Sequence, residues 1–383
     1  MAIGEADPSL FPPVASHPWS GVPPPSSPRR RLSPVATHSI DSNALRVRLQ
    51  HQLTGAYVID RELGGGGSSA VFLAKDIALD RPVVLKVLPP ALVADVDAER
   101  FRREIQIAAR LQHPHLVPLL SASPDAPAGD HEQVRWFSMP YIEGPTLRER
   151  LARRGPPPLP EALQLLREIA LALAYAHARG VVHRDIKPEN VLLNDGIAMI
   201  SDFGVAKALD DASDAALQSG RRITTVSTAL GTPAYMAPEQ VVRSHAVDHR
   251  ADLYAFGCVA YEVLTGSPPF VRPSLRATMA AQLSEAPVPM LAHCPGLPPA
   301  LADIVMRCLA KNPAERPASA TWVVRAIEQA MAWTPADAET DAAAPPASAA
   351  APPPPIAVQW LRRSILGTAL ALVAAAVLWG ILG

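Results

Sequence analysis

The run Leu63-Gly64-Gly65-Gly66-Gly67-Ser68-Ser69-Ala70-Val71 lies between two segments of strand character and offers a backbone almost free of side chains. Phosphate groups need N–H donors at close range, and only small residues let a strand turn lie over them. Such a run alone marks a tight turn or loop more often than a nucleotide site. The next segment shifts that balance. Val83-Val84-Leu85-Lys86 sets an ammonium inside an otherwise apolar strand, where a charge without a partner is costly. Two anionic partners suit Lys86: Glu104, in Arg102-Arg103-Glu104 on the helix expected next, and the α- and β-phosphates of a nucleotide.

A second constellation is Val182-His183-Arg184-Asp185-Ile186-Lys187-Pro188-Glu189-Asn190-Val191-Leu192-Leu193, followed by Asp202-Phe203-Gly204 and later by Ala237-Pro238-Glu239. It resembles the catalytic loop of protein kinases, with the other family motifs in their required order. The resemblance runs from about Tyr57 to Met331 and is nearest to the eukaryotic-like bacterial serine/threonine kinases. It implies ATP as phosphoryl donor and Mg2+ as metal, with Mn2+ as an alternative. Phosphoryl transfer leaves the protein little covalent work, so the chemistry needs positioned charges. On that resemblance Lys86, Glu104, Asp185 and Lys187 are the catalytic set. Asp185 orients the substrate hydroxyl and accepts its proton, and Lys187 reaches the γ-phosphate. Asn190 and Asp202 hold the metal through oxygen, as a hard cation prefers. Thr232, in Gly231-Thr232-Pro233, bridges Asp185 and Lys187 and shapes an acceptor pocket of the Ser/Thr type.

The same resemblance gives the nucleotide site as Leu63 to Val71 together with Val84, Lys86, Met139, Pro140, Ile142 and Leu192. Ser69 stands where many relatives have a third glycine, and Val84 where alanine is usual. Pro140 follows the gatekeeper Met139 and has no N–H, but by resemblance that position offers adenine only its carbonyl, and Ile142 keeps its own N–H. Glu239 is expected to pair with Arg316, and Asp252 to brace the catalytic loop by accepting its N–H groups.

Regulation is suggested by Arg184, whose guanidinium beside Asp185 suits a phosphate. Between Asp202 and Glu239 the chain offers Thr224, Thr225, Ser227 and Thr228 close to Arg221 and Arg222. A phosphate there would gain charge-assisted bonds and order the segment. The expectation is activation by autophosphorylation.

The elements that must position these residues follow from periodicity. Short β-type runs at Tyr57–Glu62, Ala70–Ala74 and Pro82–Leu88 predict a small antiparallel sheet. A helix is expected over Val96–Leu111, then strands near Leu116–Ser121 and Val134–Tyr141. Beyond Pro145 the pattern turns helical, over Pro160–Arg179, Asp248–Thr265, Pro273–Ser284, Pro298–Ala310 and Ser319–Ala332. The fold class is therefore α+β and bilobal, a kinase domain over 57–332 with a β-rich lobe (57–142, with one helix) and a mainly helical lobe (143–332). Residues 1–42, rich in Pro and Ser, cannot bury enough surface to fold and are expected to be disordered. Residues 333–360 read as an Ala/Pro-rich linker.

Residues 364–383 carry no charge and are long enough, as a helix, to span roughly the 30 Å of a bilayer core. Arg362 and Arg363 precede them and no Lys or Arg follows, so the positive-inside rule keeps the larger portion cytoplasmic. The expectation is a single-pass protein of the cytoplasmic membrane that acts in signalling. Lys and Arg number 35 against 36 Asp and Glu, and no basic block exceeds Arg29-Arg30-Arg31, which gives nucleic acid no footprint. The spacing of Cys258, Cys294 and Cys308 fits neither a zinc site nor a disulfide framework. The expected partners are proteins bearing Ser or Thr, the membrane, and a second copy through the small lobe. A pseudokinase should lack a charged residue of the catalytic set, and none is missing. A small-molecule kinase should lack the two docking motifs around Thr232 and Glu239.

Overall fold

The structure, a computed structural model, describes residues 42–66, 69–88, 98–124, 134–203, 233–242 and 247–333. It opens with helix α1 (Ser42–Gln52), followed by strands β1 (Tyr57–Gly66), β2 (Ser69–Asp76) and β3 (Arg81–Val87), helix α2 (Ala98–Ala109), and strands β4 (Ser121–Ala122) and β5 (Trp136–Pro140). Among the described residues these strands make a five-stranded antiparallel sheet in the order β1-β2-β3-β5-β4. Irregular pairing between β1 and β2 falls at Ile59/Arg61 and Glu62/Gly64, the latter where the glycine run begins. Bulges increase local twist and re-aim the strand.

The sequence placed no element before Tyr57, yet α1 is a built part of this lobe. Leu45, Leu49 and Leu53, spaced by four, are buried in one cluster with Ile59, Phe72, Val83, Val134 and Trp136. Gln50 fixes the helix to β1, donating to Tyr57 O at 3.0 Å and accepting from Ile59 N at 2.8 Å. Gln52 Oε1 accepts from Val134 N at 3.2 Å. Side-chain amides thus satisfy backbone that the helix covers.

The expected strand over Leu116–Ser121 is corrected to the two-residue β4. The reason is where the preceding backbone bonds: Val117 N donates to Ile200 O and Ile200 N to His115 O, both at 2.9 Å. That stretch pairs with the second lobe instead of the sheet.

The second lobe contains α3 (Leu147–Arg154), α4 (Leu159–His177), the hairpin β6 (Val191–Asn194) and β7 (Ile197–Ile200), then α5 (Pro238–Val241), α6 (Arg250–Thr265), α7 (Leu275–Ser284), α8 (Met290–His293), α9 (Pro299–Cys308) and α10 (Ala320–Ala332). Helix α3 opens on a capping box, Thr146 accepting from Glu149 N while Glu149 accepts from Thr146 N. The β6–β7 turn places Asp195 and Gly196 at positive φ (50° and 84°), the pairing a tight Asp-Gly hairpin needs. Helix α6 is buried on every side from Ala251 to Val263 and forms the spine of this lobe's core.

Among the described residues no helix is long and apolar enough to cross a membrane. Of the expected tail 1–42 all but Ser42, of the expected linker 333–360 all but Trp333, and the whole expected span 364–383 lie outside the described residues.

Candidate active site

The loop between α4 and β6 carries the densest group of expected residues, and its shape is set from below. Asp252, near the start of α6, is fully buried. Its Oδ2 accepts from His183 N at 2.7 Å and its Oδ1 from Arg184 N at 2.7 Å. His177 Nε2 lies 2.8 Å from Oδ2. Burial pushes this carboxyl up, but the bond and charge of His177, with the backbone bond from His183, outweigh it and hold it below the ordinary carboxylate range. Arg184 sits at φ 70°, a conformation non-glycine residues adopt when surroundings over-determine it. Two N–H groups turned into one carboxylate supply that constraint.

Above this brace Asp185 Oδ2 accepts from Lys187 Nζ at 2.6 Å and from Asn190 Nδ2 at 3.0 Å. Asn190 Nδ2 also reaches Asp185 O at 2.8 Å, which fixes the loop's width. His183 is buried; its Nδ1 accepts from Asp185 N at 3.1 Å, so its other nitrogen carries the proton donated to Ser201 O at 2.7 Å. The loop and the strand end at Ser201 are thereby joined through one neutral ring. Phe203 packs edge-on against that ring, centroids 4.5 Å apart.

Asp202 and Lys86 meet across the two lobes, Nζ to Oδ2 at 2.8 Å. Lys86 is held from both sides, its backbone paired with Val71 of β2 and Phe137 of β5. Burial raises the Asp202 carboxyl, and the Lys86 charge and hydrogen bond overcome that and lower it. Asp202 takes φ 68°. Its Oδ1 is buried and has no hydrogen-bond partner among the described residues. An orphaned carboxylate oxygen beside an ammonium fits a hard divalent cation with a phosphate ligand. Glu104 is buried on α2.

The adenine-side residues fall on the strand that joins the lobes. Met139 is buried on β5 opposite Val84 of β3, and Pro140 ends the strand opposite Val83. Gly144 follows, so close to the second lobe that a Cβ there would lie 1.8 Å from Leu193 O. Only glycine lets the connection pass, and Leu193 N in turn donates to Pro145 O at 3.0 Å. Leu192 is half-buried on β6, bridged to Thr146. Of the glycine run, Leu63 to Gly66 lie on β1, and Ser69, Ala70 and Val71 on β2. Gly67 and Ser68 lie outside the described residues, as do Thr224, Thr225, Ser227, Thr228 and Thr232.

One group was not anticipated from sequence. Arg148 of α3 joins Glu189, at 2.8 Å, to Glu262 of α6, at 2.5 Å, and also binds the Tyr235 hydroxyl. Tyr235 in turn donates to Glu262 Oε2 at 2.5 Å. The segment around Tyr235 is thus tied to the catalytic-loop neighbour Glu189. The nearest signal was Glu262, a glutamate near the end of a largely apolar helix, which says nothing of its partner.

The protein kinase domain family matches residues 57–330. The serine/threonine-protein kinase PknB of Mycobacterium tuberculosis is 38% identical over 267 residues, which is 69% of this chain and 41% of that protein. PknE of Mycobacterium bovis is 38% identical over 290 residues, 75% of this chain and 48% of that protein. The chain thus spans less than half the length of these curated relatives. Among solved structures, the PknI kinase domain of M. tuberculosis superposes with a TM-score of 0.56 at 30% identity, covering 73% of this chain and 97% of that one.

Proposed function

This chain belongs to the protein kinase domain family, and from that membership we propose that it transfers the γ-phosphate of ATP to Ser and Thr hydroxyls of proteins. The observation that carries the reading is the meeting of two charged groups: Asp185 with Lys187 and Asn190 on one loop, and Lys86 with Asp202 at the lobe junction. Bound ATP with Mg2+ supplies the transferable phosphoryl group and neutralises charge on its oxygens. Asp202, through its unpartnered Oδ1, and Asn190 would hold the metal. Lys86 would hold the α- and β-phosphates, with Glu104 as its further anionic partner. Asp185 is one-third exposed and would orient the acceptor hydroxyl and take its proton, while Lys187 stabilises charge gathering on the transferred group.

The family relation and the sequence support a wider proposal. Met139, Pro140, Ile142, Val84 and Leu192 line the adenine site beneath the glycine run, and Thr232 shapes acceptor choice. Phosphorylation among Thr224, Thr225, Ser227 and Thr228 by the enzyme itself, received by Arg184, raises activity. Residues 364–383 anchor the chain in the cytoplasmic membrane with the kinase domain on the cytoplasmic side, where a second copy pairs with it in signalling.

The test is radiolabel transfer from ATP with Mg2+ to a generic basic protein, comparing the chain with its Asp185→Ala variant. Label on Ser and Thr that vanishes in the variant is expected. No label from the unaltered chain, with nucleotide still bound, would make this a nucleotide-binding protein without transfer.

A further inference from the structure

Pro233 and Ala234 begin a short 3-10 turn, Pro233–Tyr235, that runs into α5. This segment is tied to the catalytic loop twice. Gln240 Nε2 donates to Arg184 O at 2.8 Å, one residue before Asp185, and Tyr235 reaches Glu189 through Arg148. On its other side stands Gln282 of α7, fully buried although it is an amide. Its Nε2 donates to Pro233 O at 3.0 Å and Ala234 O at 2.7 Å.

The direction of these bonds is forced from a distance. Lys311, just beyond α9, donates to the Tyr254 hydroxyl at 2.9 Å and to Ala281 O at 3.3 Å, with its ammonium 3.9 Å from the Phe270 ring centroid. Burial lowers the Lys311 ammonium to about 8, so near neutral pH it is charged and cannot accept; the Tyr254 oxygen receives from it and the single Tyr254 proton passes on to Gln282 Oε1. With Oε1 committed, both amide hydrogens point at the two carbonyls. Lys311, Tyr254, Gln282 and the turn form a chain with one polarity, and successive hydrogen bonds of one polarity strengthen each other.

We propose that this Lys311–Tyr254–Gln282 chain fixes the turn against which the acceptor protein lies, making Gln282 a positioning residue for the protein substrate and not for the nucleotide. The proposal rests on the kinase reading above. Gln282 touches neither Lys86 nor Asp202, and the turn it grips leads straight into α5, whose Gln240 is bonded to the residue before Asp185. Loosening the turn therefore alters how an acceptor hydroxyl meets Asp185 and leaves the phosphate-side groups in place.

The test is steady-state phosphotransfer by the full chain to a basic serine-containing peptide, with ATP turnover in the absence of peptide measured alongside. Gln282→Glu keeps the shape of the side chain but sets acceptor oxygens against two carbonyls. KM for peptide should rise about tenfold, consistent with loss of two buried donors. KM for ATP and peptide-free turnover should stay within about twofold of the original. Lys311→Met, which removes the head of the chain, should raise the peptide KM by about two- to threefold, and Lys311→Arg, which retains donors, should restore most of it. Unchanged peptide KM in folded Gln282→Glu overturns the proposal, and so does an equal change in the peptide and ATP constants. If Gln282→Glu does not fold, the Lys311 pair decides by the same split. Absence of any transfer by the unaltered chain instead counts against the kinase reading itself.

Discussion

Arg316 grips Glu239 with two parallel bonds, Nη1 to Oε1 at 2.6 Å and Nη2 to Oε2 at 2.8 Å. The guanidinium is wholly buried, packs over the Tyr254 ring with its centre 4.9 Å from the centroid, and gives its other N–H groups to Ala310 O, Arg250 O and Lys311 O. Removing one member of such a pair strands a buried charge. Glu239→Ala should cost about 3–5 kcal/mol by urea denaturation. A loss below about 1 kcal/mol, the range of exposed pairs, would mean the site is wetter than its geometry.

Asp252 should give the protein an acid limb. Because its carboxyl is held below its ordinary value of 3.8 in the folded chain, it contributes stability above that pH and loses it as the pH falls through the lower, folded value. Asp252→Asn should cost about 3 kcal/mol near neutral pH. The gap between original and variant should then narrow only below about pH 3.8. A gap constant from pH 6 to pH 3 would show that the carboxyl is not held below its ordinary range and that the loss in the variant does not come from its charge.

Leu49 is fully buried between α1 and the sheet. Leu49→Ala in the full chain should cost about 3 kcal/mol, the middle of the range for a core leucine. A loss under about 0.5 kcal/mol, typical of surface positions, would mean that α1 does not stay on the sheet in solution.

Gly144→Ala should injure the connection between the lobes, since its added carbon lands on Leu193 O, a backbone atom that cannot swing away. The expected loss is about 1–3 kcal/mol of stability, together with a raised KM for ATP as Ile142 and Leu192 shift apart. Normal thermal unfolding and normal ATP kinetics in the variant would contradict the close approach.

The residues that converge on Asp185 are legible because each motif is a contiguous string whose chemistry can be read without its neighbours. The Glu239–Arg316 pair and the Asp252 brace were expected from the same resemblance and are present in the fold. Strand and helix ends moved by a few residues, as at α4, read as Pro160–Arg179 and found as Leu159–His177. Helix α1 escaped because Leu45, Leu49 and Leu53 have helical spacing but are separated by arginines and glutamines and follow a Pro/Ser-rich stretch. Helix α3 also had no counterpart among the expected helices, although Thr146 and Glu149 carry the spacing of a capping box. The Gln282 chain was unreadable for a different reason: its members come from α6, α7 and the loop after α9, and nothing local links a lysine to an amide.

Among the described residues, the apolar cluster that buries α1 is drawn from residues 45 to 136. On a ribosome, the apolar face of this sheet can therefore be closed before Asp185 has been synthesised, since a chain emerges N-terminus first and folds in units as it does so. The helix that precedes the first strand gives the nascent small lobe its own cover, and the half that holds Lys86 need not wait, sticky and unpartnered, for the half that holds Asp202.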